Sequence, residues 1–385
     1  MTMIYNFDLL PDRRPTESIK WKLYDPDVLP MWVADMDFVS PEPVIRALRE
    51  RVEHGVFGYP QDMPELAPVI VERMQRLYGW QIAPEDVVLL PGVVTGFNMA
   101  CQAFAAGEGV LVQTPVYPPF LSAPDAANSL LQESELVQDA QGDYSVDWDA
   151  FTAAITSHTR LFILCNPHNP VGRIFSRSEL ERMAQICLKQ RVLICSDEIH
   201  CDLVYKGNQH IPIASLDPEV ALRTITLIAP SKTYNIAGLE CSIAIIQEPA
   251  LRKQFLAARR GLVGWVNLFG QIAALAAYRD GQEWLGQLLQ YLEKNRDYLA
   301  EFVHRELPSI SMGRPEGTYL AWLDCRGAGL ENSPQQFFLE KARVATNNGA
   351  AFGRGGEGFV RLNFGCPRSM LVEAMERIKN SLAQA

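Results

Sequence analysis

Residues 161–200 have the sequence LFILCNPHNPVGRIFSRSELERMAQICLKQRVLICSDEIH, and this stretch decides the fold of the chain. It contains two apolar runs, at 161–164 and 192–194, that are typical of buried strands. Between them Ser176 and Glu179 form a capping box, and apolar residues recur after it at helical spacing. A strand, a helix and a second strand in this order predict a β-α-β unit, and therefore parallel strands.

Polar side chains follow three of the predicted strands. Asn169 comes after the first strand, Asp197 follows the second, and Lys232 follows a third apolar run at 224–228. Parallel strands with right-handed crossovers have their carboxyl ends at one edge of the sheet, so one pocket is expected to hold all three side chains. Pyridoxal 5'-phosphate (PLP) requires such a set: a lysine for the Schiff base, a carboxylate that keeps the pyridine nitrogen protonated, and an amide for the phenolic oxygen.

The same residues resemble those of fold-type-I PLP-dependent enzymes of the aminotransferase class I/II superfamily. Other segments resemble the branch of cystathionine β-lyases and MalY/PatB-type C-S lyases, and together they cover nearly the whole chain. These segments are Lys20-Trp21, 32–38, 57–60, 197–200, 317–322 and 361–364. The resemblance implies an α/β fold with a large, mostly parallel α/β domain and a smaller α+β domain.

The resemblance also implies roles for single residues. It makes Lys232 the Schiff-base lysine, Asp197 the partner of the pyridinium nitrogen and Asn169 the ligand of the phenolic oxygen. Tyr117 matches the aromatic residue that stacks on the pyridine ring. Arg361 matches the arginine that binds the substrate α-carboxylate, a task for which a planar guanidinium suits a bidentate pair.

The cofactor phosphate is expected at a glycine turn that follows the apolar run 87–90. Backbone amides at the start of a helix bind phosphate, so the amides of Val93 and Val94 are the predicted ligands. The resemblance adds the hydroxyl of Ser231 and Tyr59, which would reach the cofactor and the substrate from a second subunit. It therefore implies a homodimer with a shared active site.

Two positions differ from the pattern of many aminotransferases. Glu240 lies eight residues after Lys232, where those enzymes have an arginine that binds the phosphate. Either its carboxylate points away, or hydroxyl and backbone groups alone hold the phosphate. His200 replaces a tyrosine that contacts the phenolic oxygen, and it is predicted to contact cofactor or substrate or to lie buried behind them.

Composition limits the remaining choices. The 385 residues, 48% of them hydrophobic, suffice for two lobes. We predict an N-terminal arm at 1–40 that packs with the small domain, a large PLP-binding domain at 41–280 and a small domain at 281–385. The net charge of −10 disfavours nucleic acid and anionic membranes as partners. No signal-peptide or membrane-span pattern is present, so a cytoplasmic protein is expected.

The eight cysteines are dispersed, and several lie on or beside predicted buried strands, where a free thiol behaves as a small apolar group. No disulfide framework is indicated. Cys195, His200 and Cys201 lack the paired spacing of a zinc site, so no metal is expected.

The resemblance predicts β-elimination from L-cystathionine or related cysteine S-conjugates, an amino-acid substrate class, which gives a thiol, pyruvate and ammonia. The same residues would support amino-group transfer, so an aminotransferase of class I/II is the first alternative. A PLP-binding protein with a mainly regulatory role is the second. A nucleotide-binding protein is disfavoured, because the chain has neither a Walker A sequence nor a G-x-G-x-x-G after its first strand.

Overall fold

The computed structural model describes residues 3–384. Its α-helices, numbered in chain order, are α1 Ile19–Lys22, α2 Glu42–Glu53, α3 Leu66–Tyr78, α4 Val93–Phe104, α5 Pro119–Ala126, α6 Trp148–Ala154, α7 Arg177–Gln190, α8 Pro218–Ala221, α9 Pro230–Thr233, α10 Pro249–Ala257, α11 Leu268–Asp280, α12 Gln282–Glu306, α13 Pro334–Phe337 and α14 Arg368–Leu382. Its strands are β1 Leu29–Pro30, β2 Val87–Leu90, β3 Gly109–Thr114, β4 Leu130–Gln138, β5 Tyr144–Val146, β6 Thr159–Cys165, β7 Leu193–Asp197, β8 Thr224–Ile228, β9 Ser242–Ile245, β10 Leu320–Asp324, β11 Val344–Ala345, β12 Asn347–Asn348 and β13 Phe359–Asn363.

A large mixed sheet forms the centre of the fold. Its strand order is β2-β9-β8-β7-β6-β3-β4-β5. The five strands β8, β7, β6, β3 and β4 are mutually parallel, whereas β9 runs antiparallel to both of its neighbours and β5 runs antiparallel to β4. The predicted α/β class with a mostly parallel large sheet is therefore confirmed.

The β-α-β unit β6-α7-β7 forms as its sequence predicts. The Ser176 hydroxyl accepts a hydrogen bond from the Glu179 amide at 3.3 Å, and the Glu179 carboxylate accepts one from the Ser176 amide at 2.8 Å. Helix α7 buries Leu180, Met183 and Cys187 against the sheet, which matches their helical spacing. The strand β8 is buried along its whole length, as is typical of a strand covered on both faces.

The reversed direction of β9 matters for the site. Because β9 is antiparallel, its first residue, Ser242, lies beside Leu90 at the end of β2. The start of β9 therefore shares the sheet edge at which β2 and β8 end, next to the glycine turn that leads into α4.

A second, smaller sheet has the antiparallel order β10-β13-β12. In its register Arg361 of β13 lies between Trp322 of β10 and Asn347 of β12. The small sheet therefore carries the arginine that the sequence predicts as the carboxylate ligand. The predicted boundaries at residues 40 and 280 stay a prediction.

The N-terminal segment packs on residues from both ends of the chain. Strand β1 pairs in parallel with β11. The ring of Phe7 makes edge contacts with Phe38 at 5.2 Å and with Trp284 at 5.7 Å between ring centroids. Of the helices described within residues 3–384, none is both long and apolar enough to cross a membrane.

Candidate active site

A cavity of about 370 Å³ lies at the carboxyl ends of the central parallel strands. Side chains from the ends of β6, β7 and β8 and from β13 of the small sheet line it. The predicted site residues that the structure brings together here are Val93, Val94, Tyr117, Asn169, Asp197, His200, Ser231, Lys232 and Arg361. Tyr59 is the exception, because its side chain is 97% exposed and lies outside this cavity.

Lys232 enters the cavity from the short helix α9, which follows β8. Its amine donates a hydrogen bond to the backbone oxygen of Ala34 at 2.7 Å. Burial lowers the pKa of Lys232 to about 8, and the positive charge of Arg361 adds to this effect, while Asp35 and Asp197 oppose it. A larger fraction of this amine is therefore neutral at physiological pH than in a solvated lysine.

Asp197 is the last residue of β7 and is 4% exposed. Its carboxylate accepts a hydrogen bond from the amide of Ile199 at 3.0 Å. Burial nevertheless raises the pKa of Asp197 to about 7, because removing the carboxylate from water disfavours its charge. A cationic N–H group placed against it would restore the charged form.

Arg361 is a buried cation held by neutral oxygens. It donates to the side-chain oxygen of Asn169 at 3.0 Å, to that of Asn347 at 2.7 Å and to the backbone oxygen of Trp32 at 3.1 Å. Its Nε atom has no hydrogen-bond partner among residues 3–384. Burial lowers its pKa to about 10, so the guanidinium remains charged at neutral pH. This arrangement suits a carboxylate ligand.

His200 and Tyr117 line the cavity near these groups. The His200 ring makes an edge contact with Tyr319 at 6.0 Å, and its Nδ1 atom lacks a partner within the described part of the chain. Burial, reinforced by the charge of Lys232, lowers the pKa of His200 to about 3, so the ring is neutral. The backbone amide of Tyr117 donates a hydrogen bond to the backbone oxygen of Asn169 at 3.1 Å, which joins the two loops.

The start of helix α4 also lines the cavity and offers groups that suit a phosphate. Gly92 precedes helix α4 in an extended conformation, and no side chain in the described part of the chain caps the first turn. The amides of Val93 and Val94 therefore begin a helix whose positive dipole end faces the cavity. Ser231 lines the same region, and so does Glu240, which is exposed to solvent. Glu240 therefore lines the cavity that contains the predicted phosphate site.

Several lining residues were not predicted from the sequence. Asn347 and the carbonyl oxygens of Trp32 and Ala34 contact Arg361 or Lys232 directly, and Ser242 enters through the reversed strand β9. No motif signals Asn347, whose role depends on the pairing of β12 with β13. Backbone oxygens carry no sequence signal at all, since any residue supplies one.

Comparison with known proteins gives consistent results over the full length. Residues 26–378 match the family model described as aminotransferase class I and II. The chain is 41% identical to the cystathionine beta-lyase PatB of Bacillus subtilis, over 98% of this chain and 100% of that protein.

Solved structures agree with this similarity. The crystal structure of OvoB superposes with a TM-score of 0.94 at 45% identity, over 99% of this chain and 100% of that one. Cystalysin from Treponema denticola, whose structure contains PLP, superposes with a TM-score of 0.95 at 32% identity, again over 99% of this chain and 100% of that one. The similarity in fold therefore covers nearly the whole chain.

Proposed function

The chain belongs to the family of class I and II aminotransferases, within its branch of PatB- and MalY-type C-S lyases, and from this premise we propose that it is a PLP-dependent C-S β-lyase. Its expected substrates are L-cystathionine or related cysteine S-conjugates, and its products are a thiol, pyruvate and ammonia. One observation carries the proposal: a single cavity brings together the amine of Lys232, the carboxylate of Asp197, the amide of Asn169 and the guanidinium of Arg361.

The residues of the cavity fit PLP. The start of α4 offers the amides of Val93 and Val94 to a phosphate, with the Ser231 hydroxyl nearby. The raised pKa of Asp197 fits a carboxylate that meets a protonated ring nitrogen in the holoprotein. The Nδ1 atom of His200, which has no hydrogen-bond partner among residues 3–384, is a further polar atom available to a bound molecule.

PLP, when bound, supplies a carbonyl carbon for amine attack and a ring that takes up the electron pair released at the substrate Cα. The protein has to move the Cα proton, and Lys232 is the proposed base. Its lowered pKa makes the neutral amine available near pH 7 to 8, which is the form that can accept a proton. Asp197 and Asn169 are the proposed ligands of the ring nitrogen and the phenolic oxygen, which fix the ring.

Arg361 is the proposed ligand of the substrate α-carboxylate. The Nε atom of its guanidinium has no partner among residues 3–384 and is available to donate to a carboxylate, which would also compensate a buried charge. Binding of the α-carboxylate orients the amino acid so that its Cα proton can be delivered to the proposed base. In the net reaction the Cβ–S bond breaks, the sulfur leaves as a thiol, and water is consumed to give pyruvate and ammonia.

An aminotransferase is the second candidate. The family model is described by that activity, and the same four residues serve amino-group transfer when no leaving group is present at Cβ. A mainly regulatory PLP-binding protein is less well supported, because the complete set of reactive groups lines the cavity.

We further propose a homodimer in which Tyr59 of one subunit completes the site of the other. Exposed apolar residues support an interface: Phe57, two residues before Tyr59, is 57% exposed, and Leu262 and Trp265 are 89% and 71% exposed. Such large side chains are unfavourable in water unless they are covered. All eight cysteines are free, which supports a reducing compartment such as the cytoplasm.

The test is to incubate the PLP-loaded protein with L-cystathionine and, separately, with an amino acid and 2-oxoglutarate. Pyruvate with one equivalent of thiol is the expected result. Amino-group transfer without thiol release would instead establish the aminotransferase. The Lys232→Ala variant is expected to lose turnover and covalent cofactor attachment together, and normal turnover in this variant would refute the assigned role.

A further inference from the structure

Backbone oxygens of the loop at residues 32–36 accept hydrogen bonds from Lys232 and Arg361, the two cations of the cavity. The Trp32 carbonyl accepts a hydrogen bond from Arg361 at 3.1 Å. The Ala34 carbonyl accepts one from the Lys232 amine at 2.7 Å and a second from the Tyr319 hydroxyl at 2.9 Å. The positions of these cations therefore depend on the exact path of an irregular segment.

The same loop is fixed along its length by two amides. The side-chain amide of Asn363 donates to the carbonyl oxygens of Val33 and Asp35, at 2.5 and 2.7 Å. The side chain of Asn235 accepts from the Met36 amide at 2.9 Å and donates to the Met36 carbonyl, also at 2.9 Å. These bonds set the direction of the carbonyl groups, but they leave two carboxylates to be neutralised, that of Asp35 in the loop and that of Asp37 directly after it.

Two cations from the N-terminal segment provide that neutralisation. Arg13 donates to both carboxylate oxygens of Asp35, at 3.0 and 2.7 Å, and to Asp37 at 2.7 Å. Lys20 donates to Asp37 at 2.7 Å, and the indole of Trp21 donates to the same carboxylate at 2.8 Å. Two positive and two negative groups thus form a neutral cluster.

The cluster is buried, so its charge balance affects the position of the loop. The side chains of Lys20 and Asp37 are 1% and 0% exposed. Removing one partner of such a pair leaves an uncompensated charge in the interior, so the segment that carries it tends to move toward water. Burial alone would raise the pKa of Asp35, but the hydrogen bond from Arg13 and the charge of Lys20 outweigh it and lower that pKa.

We propose that Lys20 and Arg13 are positioning residues for the cofactor lysine and the substrate arginine. By neutralising Asp37 and Asp35, they hold the loop in the path on which its carbonyl oxygens receive Lys232 and Arg361. The proposal gives a role to Lys20 and Trp21, which contact Asp37 but are not among the residues that line the cavity. It rests on the proposed function only in the role given to Lys232, and it does not depend on which amino acid is the substrate.

The test measures cofactor capture rather than turnover. Apo protein is mixed with PLP at a series of pH values, and the rise of the visible absorbance of the bound cofactor gives a capture rate. Capture requires the neutral amine, so the midpoint of the rate against pH reports on Lys232. The charged groups that act on this amine are Arg361, Asp35 and Asp197.

The Lys20→Met variant is expected to lower this midpoint by about one pH unit, a tenfold change in proton affinity. The reason is that a displaced loop withdraws the Ala34 carbonyl and the Asp35 charge, both of which favour the protonated amine. The matched control is Lys22→Met on the same helix, because Lys22 forms its one ion pair within the described residues with the exposed Glu17. This control is expected to leave the midpoint unchanged.

A second pair of variants covers the case in which Lys20→Met does not fold. Arg13 is partly exposed, so Arg13→Gln is expected to fold and to shift the midpoint in the same direction. Its neighbour Arg14 is exposed and, within residues 3–384, forms no ion pair with Asp35 or Asp37, so Arg14→Gln is the control. An unchanged midpoint in Arg13→Gln, or equal shifts in variants and controls, would overturn the proposal. A lyase assay that fails while the midpoint shifts would reject only the proposed function.

Discussion

At the scale of single residues, Glu240 is the side chain that conflicts with the expected cofactor. It lines the same cavity as Ser231 and the first residues of α4, where the phosphate of PLP is predicted to bind. Like charges repel, and the effect is moderate because the side chain is exposed to water. The cofactor is therefore expected to bind less tightly than the backbone and hydroxyl donors alone would allow.

The Glu240→Gln variant is expected to tighten PLP about fivefold, since one near-surface like-charge contact is removed. Spectral titration of the apo protein measures this affinity. Pyridoxal, which lacks the phosphate, is the internal control, and its affinity should be the same in both proteins. An equal gain for both ligands would mean that Glu240 acts on the ring or on the fold, and that the charge argument is wrong.

The site residues that the sequence could predict are polar side chains that directly follow apolar strands. An amide, a carboxylate and a lysine after successive apolar strands led to Asn169, Asp197 and Lys232. Asn347 gave no such signal, because it contacts Arg361 only through the pairing of two short strands. The Ala34 acceptor is a backbone atom, so side-chain chemistry could not predict it.

At the scale of elements, helix α7 connects β6, which Asn169 follows, with β7, which ends at Asp197. Its N-terminus depends on the Ser176 and Glu179 capping box. The Ser176→Ala variant is expected to lower the free energy of unfolding by about 1 kcal/mol, because a first-turn amide loses its acceptor. Denaturant unfolding checks this value.

Ser178 lies in the same first turn but caps no backbone amide within the described chain, so Ser178→Ala is the matched control. PLP affinity should stay unchanged in both variants, since the helix contributes no side chain to the cavity. A loss of affinity in Ser176→Ala with normal stability would contradict this division between fold and site.

The elements themselves were largely predictable. Apolar runs and the capping box identified β6, α7, β7 and β8, since burial and helix capping both follow from local sequence. The direction of β9 was not predictable, because a short apolar run is the same in either orientation. Ser242 lies at the site because β9 is antiparallel to its neighbours. The direction of β9 depends on tertiary contacts, which no local sequence pattern encodes.

At the scale of the whole molecule, the proposed shared site can be tested by mixing inactive proteins. A site would need Lys232 from one subunit and Tyr59 from the other. In a hybrid of Lys232→Ala and Tyr59→Ala subunits, one of the two sites would contain both intact residues. Random exchange of an equal mixture is therefore expected to restore about a quarter of wild-type activity, given two-fold symmetry.

Activity of the unmixed Tyr59→Ala protein provides the baseline, and sedimentation confirms the dimer and the exchange. If subunits exchange but no activity returns, Tyr59 does not serve the neighbouring site. If each variant is a monomer, the interface around Trp265 has been wrongly assigned. From the sequence, the dimer was predicted only through the family resemblance. The structure of one chain shows exposed apolar side chains, but it does not show what covers them.

The carbonyl groups of residues 32–36 have a consequence for how this protein can change over evolutionary time. Each oxygen accepts its hydrogen bond at a fixed place along the chain, so the number of residues in the loop is as important as the charged side chain of Asp35. A point substitution that fits the space and keeps the Asp35 carboxylate would preserve every acceptor. A single insertion or deletion would offer Lys232 and Arg361 the wrong oxygen, so length variation is expected to be purged here even where identity drifts.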